Sequence, residues 1–166
     1  MAIARTIDEL DSRILELLQE NARMTQADIA KTVGLAPSAV LERMRKLEAR
    51  GAIREYVAAI DPHVADLALL AFVSVRTSEY GPEQPSAQAL ARIPEVLEVH
   101  HVAGEDCYLL KIRARDAEHL GQLLRQQIAT VPHVTSTRTT IVLGTSKETM
   151  RIPLGRARHP KIPVAS

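Results

Sequence analysis

Cys107 is the only cysteine in the 166 residues, and tryptophan is absent. A lone thiol excludes an internal disulfide framework and any multi-cysteine zinc site within one chain. Aromatics are scarce at 2%. The N-terminal Met1-Ala2-Ile3-Ala4-Arg5 lacks the apolar run of a signal peptide, and no stretch is long and apolar enough to span a bilayer. The expected location is therefore the cytoplasm, with no membrane partner. No motif places a nucleophile beside a base and an orienting acid. His63, His119, His133 and His159 are scattered, and the consecutive His100 and His101 point to opposite faces of a strand, where they cannot share one metal. Neither catalysis, a metal nor a cofactor is expected.

What is present is an ordinary soluble composition, 46% apolar and 25% charged. The length suits one compact domain or two small ones, and a unit of about 60 residues is marginally stable alone, so two such units favour assembly. The net charge of +1 is unevenly distributed. Residues 1–60 carry 9 basic and 9 acidic groups, 61–146 carry 7 and 10, and 147–166 carry 5 and 1. Local charge, not the total, meets phosphates. The middle of the chain is acidic and the tail is basic, and Arg151, Arg156, Arg158 and Lys161 among prolines suit a weak electrostatic role at DNA or a solvated terminus.

Ile7, Leu10, Ile14, Leu17 and Leu18 recur at helical spacing opposite Asp8, Glu9, Arg13, Glu16 and Gln19, which predicts an amphipathic helix over 8–20. Thr25-Gln26-Ala27-Asp28 has the form of a capping box and starts a second helix that Gly34 ends. Pro37 opens a third helix, which closes at Arg50-Gly51. Ala36 stands where a capping hydroxyl is expected, leaving Ser38 or water to meet the first amides. Helix, short turn and helix, with small Ala30 ahead of Gly34, lets two helices cross closely as a DNA-reading helix-turn-helix requires, although any three-helix packing unit shows some of this.

On the third helix a buried stripe of Val40, Met44 and Leu47 would leave Ser38, Ala39, Glu42, Arg43 and Lys46 outward. Arg43, Arg45, Lys46 and Arg50 face only Glu42 and Glu48 in charge, and the alternative is a merely solvated helix face. Arg43 is the expected base-edge or phosphate reader, because a guanidinium makes bidentate contacts, and Ser38 suits a phosphate. The candidate DNA-binding set is Thr25, Gln26, Pro37, Ser38, Ala39, Glu42, Arg43, Arg45 and Lys46.

Ile53 to Ile60 alternates imperfectly and predicts a strand, followed by a break at Asp61-Pro62-His63. Strands over 68–75, 96–102, 108–113 and 134–143, with helices over 84–93 and from a cap at Asp116, give the order βαββαβ. That order is the ferredoxin-like split βαβ sandwich, whose open sheet face invites a partner. The expected division is residues 1–52 as the helix-turn-helix domain, 53–67 as strand and linker, 68–146 as the βαββαβ domain and 147–166 as the basic tail.

The runs Ile7-Asp8-Glu9-Leu10-Asp11-Ser12-Arg13-Ile14-Leu15, Ala30-Lys31-Thr32-Val33-Gly34-Leu35 and Leu41-Glu42-Arg43-Met44-Arg45-Lys46-Leu47-Glu48-Ala49-Arg50-Gly51 carry a resemblance. The chain resembles the leucine-responsive and asparagine-responsive (Lrp/AsnC, feast/famine) regulators over about residues 5–150. The resemblance implies an α+β protein with an N-terminal winged helix-turn-helix and a C-terminal ferredoxin-like domain of the RAM type. It further implies double-stranded DNA as partner, an amino-acid effector, homodimers that assemble to tetramers or octamers, and control of amino-acid metabolism genes. In the family the effector sits at the glycine loop, which here carries the role to Val102, Ala103, Gly104, Glu105, Asp106 and Tyr108. Amide donors for a carboxylate and acidic acceptors for an ammonium make that placement chemically sound, although a plain hairpin turn would look the same. Cys107 stands where the family commonly has an acidic residue before the aromatic, so the acceptor becomes Asp106 or Glu105. Thr137, Arg138, Thr139 and Thr140 on the last strand are candidates to close the pocket from a neighbouring subunit.

Two rival readings follow from the same architecture. Siroheme decarboxylases resemble it and use histidines and basic residues around a tetrapyrrole, a role His100 and His101 would fill. An amino-acid-sensing partner that enters hetero-oligomers without binding DNA is the other. The basic face of the third helix favours the regulator.

Overall fold

In the computed structural model, which describes residues 7–79 and 84–154, local signals build three helices in the first part of the chain. Helix α1 spans Glu9–Glu20, α2 Gln26–Val33 and α3 Pro37–Ala49. The Asp8 carboxylate caps α1 by accepting the Asp11 amide at 2.7 Å, which satisfies one of the orphan donors of a helix start. Thr25 caps α2 in the same way from Asp28, and Gly34, at φ 72°, stops it in the left-handed conformation that glycine adopts freely. Helix α3 begins at Pro37 with no side-chain cap, so Ser38 does not take that task. It ends with the Ala52 and Gly51 amides donating to Leu47 and Glu48 carbonyls at 2.8 Å each, the Schellman arrangement.

Ile14, Leu17, Leu18, Ile29, Ala30 and Val40 form the core of this unit, with Met24, Val33, Leu35, Met44 and Ile53 packed against it. The strand expected over 53–60 is absent. Residues 54–60 are irregular and exposed, and no strand lies among the described residues of this unit to serve as a wing. Alternation alone is not enough, since a strand also needs a partner to bond to, and residues 54–60 pair with no strand among the described residues. Tyr56 instead donates its hydroxyl to Glu48 at 2.9 Å, and burial, then that carboxylate, pushes its phenol up to about 12.

The second unit runs from Ala59 to Glu148. Its strands are β1 Leu69–Thr77, β2 Val96–His101, β3 Tyr108–Ala114 and β4 Val134–Ile141, and its helices are α4 Pro85–Leu90 and α5 Ala117–Leu123. A wider π-type turn over Leu124–Ile128 continues α5. The sheet order is β2-β3-β1-β4 with every pair antiparallel, the ferredoxin-like topology that the element order predicts. Helix α4 is shorter than the expected 84–93, because Pro94 disfavours helical backbone at Ile93 and the chain turns after Leu90.

Alternation on β1 and β3 aims Ala71, Val73, Val75, Tyr108, Leu110, Ile112 and Ala114 at Leu90, Leu120, Leu123 and Ile128 of the helical layer. The opposite face carries Phe72, Leu109, His100 and an ion-paired group. In that group Lys111 meets Glu98 at 3.1 Å and also Glu148, while Arg113 meets Glu148 at 3.0 Å. Residues 149–154 return to the first unit, where Gln19 accepts the Ile152 amide at 2.6 Å and donates to its carbonyl at 3.0 Å. Of the tail cations, Arg151 is exposed, whereas Arg156, Arg158 and Lys161 lie outside the described residues.

Candidate DNA-reading helix and ligand loop

Helix α3 presents Pro37, Ser38, Glu42, Arg45 and Lys46 to solvent, with Ala39 half-buried. Thr25 and Gln26, at the start of α2, are exposed, and the Thr25 hydroxyl is occupied by Asp28. Lys46 pairs with Glu42 at 3.3 Å along the helix, whereas Arg45 has no ion-pair partner among the described residues.

Arg43 departs from expectation. It does not face outward as a reader: its Nη1 lies 2.6 Å from Asp8 Oδ2 and 2.7 Å from Asp11 Oδ1, with only 30% of the side chain exposed. The reason is its place on the helix, three residues after Val40 and four before Leu47, which puts it on the row that faces α1. The hydrogen bonds that Arg43 donates to Asp8 and then to Asp11 raise the guanidinium above its ordinary range. The Asp11 amide, and after it Arg43, hold the Asp8 carboxyl below the usual carboxylate range. A sequence signal for this clasp existed. Asp11 stands at helical spacing with Ile14, Leu15 and Leu18 on the buried side of α1, and a buried carboxylate demands a cation.

The turn between β2 and β3 is built around Gly104, whose φ of 134° is a conformation that only glycine adopts without strain. Arg76 of β1 donates from Nε to the Glu105 carbonyl at 3.1 Å and meets its carboxylate at 3.4 Å. Arg138 of β4 reaches Asp106 Oδ2 at 2.6 Å, so it joins the loop of its own chain. Thr137 and Thr139, directly opposite Val75 and Val73, alternate to the other face of β4 from Arg138. Thr140 shares the Arg138 face and pairs across to Phe72. Val102 and Asp106 are half-buried, while Ala103 and Glu105 are exposed.

Tyr108 turns away from the loop into the core, 2% exposed, and gives its hydroxyl to Glu79 Oε1 at 2.7 Å. Its phenol is pushed up to about 12, first by burial and then by Glu79. Burial alone would raise the Glu79 carboxyl, but hydrogen bonds from Tyr108 and from buried Ser86 outweigh it and hold the group below its usual range. A carboxylate lowered in this way stabilises the fold above its unfolded pKa, and that contribution disappears as pH falls through the folded value. The melting temperatures of the parent and Glu79→Gln should therefore differ near neutrality and converge as the pH falls through and below the ordinary carboxylate range. A gap that stays constant from neutral to acid pH would contradict this assignment.

His100 meets Glu98 at 3.0 Å, whereas His101 packs against Tyr108 with ring centres 5.4 Å apart. Their register partners, Leu109 and Tyr108, are consecutive and so lie on opposite faces of the sheet. The two histidines do not converge, and among the described residues no three His, Cys, Asp or Glu side chains gather as metal ligands.

The model of the AsnC-type helix-turn-helix domain matches residues 7–48, and that of the Lrp/AsnC ligand binding domain matches residues 70–152. The chain belongs to the Lrp/AsnC family. A helix-turn-helix-type transcriptional regulator of Pyrococcus horikoshii is 37% identical over 148 residues, which cover 89% of this chain and 97% of that protein. The leucine-responsive regulatory protein of Escherichia coli K12 is 35% identical, covering 89% and 92%. A transcriptional regulator of Neisseria meningitidis, solved as a complex with L-methionine, superposes with a TM-score of 0.83 at 31% identity, covering 90% and 98%. These Lrp/AsnC relatives are regulators of transcription, and the family is not enzymatic, so the tetrapyrrole decarboxylase reading finds no support.

Proposed function

We propose that this Lrp/AsnC chain is a sequence-specific DNA-binding regulator of amino-acid metabolism genes, with α3 in the major groove and a free amino acid bound at the Gly104 loop. The observation that carries the first half is the exposed face of α3, which presents Ser38 and Arg45, the latter without an ion-pair partner among the described residues. An exposed guanidinium on the second helix of such a motif suits guanine or phosphate. Thr25, Gln26, Pro37, Ala39, Glu42 and Lys46 flank that face. The relatives' names, and the methionine held by the Neisseria regulator, support the same reading.

The loop supports the second half. Glu105 and Asp106 offer acceptors for an ammonium, Arg76 and Arg138 offer donors for a carboxylate, and the Gly104 turn brings them together. Val102, Ala103 and the backbone at Tyr108 complete the loop, and Thr137 and Thr139 of β4 would close the pocket from a neighbouring subunit. Homodimerisation is supported by the irregular, exposed segment 54–60, with Tyr56, Val57 and Ile60 unburied. Further assembly to tetramers or octamers, residence in the cytoplasm and a domain division near residues 52 and 68 belong to the same proposal. No helix among the described residues is long and apolar enough to cross a membrane.

The test is a gel shift on the DNA upstream of the chain's own gene, at fixed salt, across a panel of amino acids. Binding that one amino acid alters is the expected result, and no retardation at any condition would refute the reading. Arg45→Ala should weaken binding about tenfold and lower the salt slope by about one if the residue meets a phosphate. Parental affinity and slope in that variant would remove Arg45 from the interface.

A further inference from the structure

Arg43 has given up the freedom that a DNA reader needs. Its Nη1 serves two carboxylates, Asp8 Oδ2 at 2.6 Å and Asp11 Oδ1 at 2.7 Å. Both carboxylates are themselves fixed. Asp8 is the cap of α1 through its other oxygen, and Asp11 is 8% exposed, one of two polar residues buried among those described. To swing its guanidinium out toward DNA, Arg43 would have to take Nη1 from Asp11 and leave a buried carboxylate without its cation, which is strongly disfavoured.

We propose that Arg43 is a positioning residue: the Asp8–Arg43–Asp11 clasp sets the rotation of α3 against the start of α1, and thereby how Ser38 and Arg45 are presented to DNA. The proposal rests on the reading of α3 as the DNA-reading helix. Two residues along a helix are about 200° apart, so with Arg43 held toward α1 the Arg45 side chain is turned to the opposite side. A planar guanidinium with fixed donors resists rotation about the helix axis in a way that apolar packing of Val40 and Leu47 alone does not. The clasp also joins the two helices at the end of α1 where no apolar residue is fully buried, since the buried residues of α1 other than Asp11 begin at Ile14.

Three variants test this: Arg43→Gln, Asp11→Asn and the two combined. Affinity for a duplex from upstream of the chain's own gene is measured by fluorescence anisotropy at several KCl concentrations, at a temperature where circular dichroism shows each variant folded. Positioning predicts that each single change weakens binding about tenfold, within the range one mismatched base pair costs. The combined variant should be no weaker than either single one, because all three open the same clasp. The slope of log affinity against log salt should match the parent in every case, because no phosphate contact is lost.

A slope lowered by about one in Arg43→Gln alone would mean that Arg43 touches phosphate and would overturn the proposal. Parental affinity in the folded single variants would also overturn it, leaving the clasp a purely structural bond. Should both singles fail to fold, Asp8→Asn keeps a capping side chain but removes one charge from the clasp. That variant should bind more weakly with an unchanged slope, and parental binding by it refutes the positioning role. A parent that does not bind, or that binds independently of Arg45, defeats the reading of α3 and the proposal with it. Parental behaviour in the clasp variants, beside an Arg45-dependent slope, defeats the proposal alone.

Discussion

Ile14→Ala is expected to abolish DNA binding by unfolding the helix-turn-helix unit. Ile14 is fully buried, at 0% exposure, among Leu17, Leu18, Ile29 and Val40. Truncating a buried isoleucine to alanine typically costs about 2 to 5 kcal/mol, as lost transfer energy together with the cavity left behind. A unit of about fifty residues has roughly 3 to 8 kcal/mol to lose, at the usual stability per residue. The substitution therefore removes most of what holds the three helices together, and neither Thr25 nor Gly34 can compensate, since a cap contributes only about 1 kcal/mol. The core of the second unit shares no residue with this one, so its strands should persist. Calorimetry should show an early transition lost or moved below room temperature beside one that is retained. A single unshifted melt with parental DNA affinity would show that Ile14 is not central to this core.

The contrast between caps and clasp shows what the amino-acid order reveals of this protein. Thr25, Gly34, Pro37 and Gly51 bound α2 and α3 as expected because each acts on backbone within a few residues of itself. The βαββαβ order was legible for a similar reason, since alternation on β1 and β3 is a local pattern with one buried side. Arg43 was harder to read, because its partners lie 32 and 35 residues away and the one pointer to them was Asp11 on the buried side of α1. The strand expected over 53–60 failed for a different reason. Its alternation is imperfect, and strand formation also depends on a hydrogen-bonding edge. At the loop, Gly104 was identifiable by residue type, while the pairings of Arg76 with Glu105 and of Arg138 with Asp106 are made only when β1 and β4 fold beside it. The inward turn of Tyr108 was likewise hidden, because Glu79, the acceptor that rewards it, lies 29 residues earlier.

Gly104→Val should remove the response to the amino-acid effector while leaving the sheet and DNA binding in place. At φ 134° no side chain collides with a neighbour, since nothing lies within 4 Å of an added Cβ. The penalty is instead in the backbone, where a β-branched residue in this region costs about 1 to 3 kcal/mol. An exposed turn relieves such strain by changing shape rather than by unfolding the domain, because Tyr108, Leu110 and Ile112 stay anchored in the core on β3. The change of shape falls on Glu105 and Asp106, which immediately follow the glycine and whose carboxylates are held by Arg76 and Arg138. Displacing either by about an ångström takes it out of hydrogen-bond range of a ligand ammonium. The amino acid that shifts the parent in the gel assay should raise the parent's melting temperature, increasingly with the logarithm of its concentration, and should leave Gly104→Val unmoved at the same concentration. Gly104→Ala, strained by less, should respond at higher effector concentration. An undiminished thermal shift in the valine variant would show that the effector binds elsewhere, and loss of the sheet's own melting transition would show that the turn is needed for folding rather than for sensing.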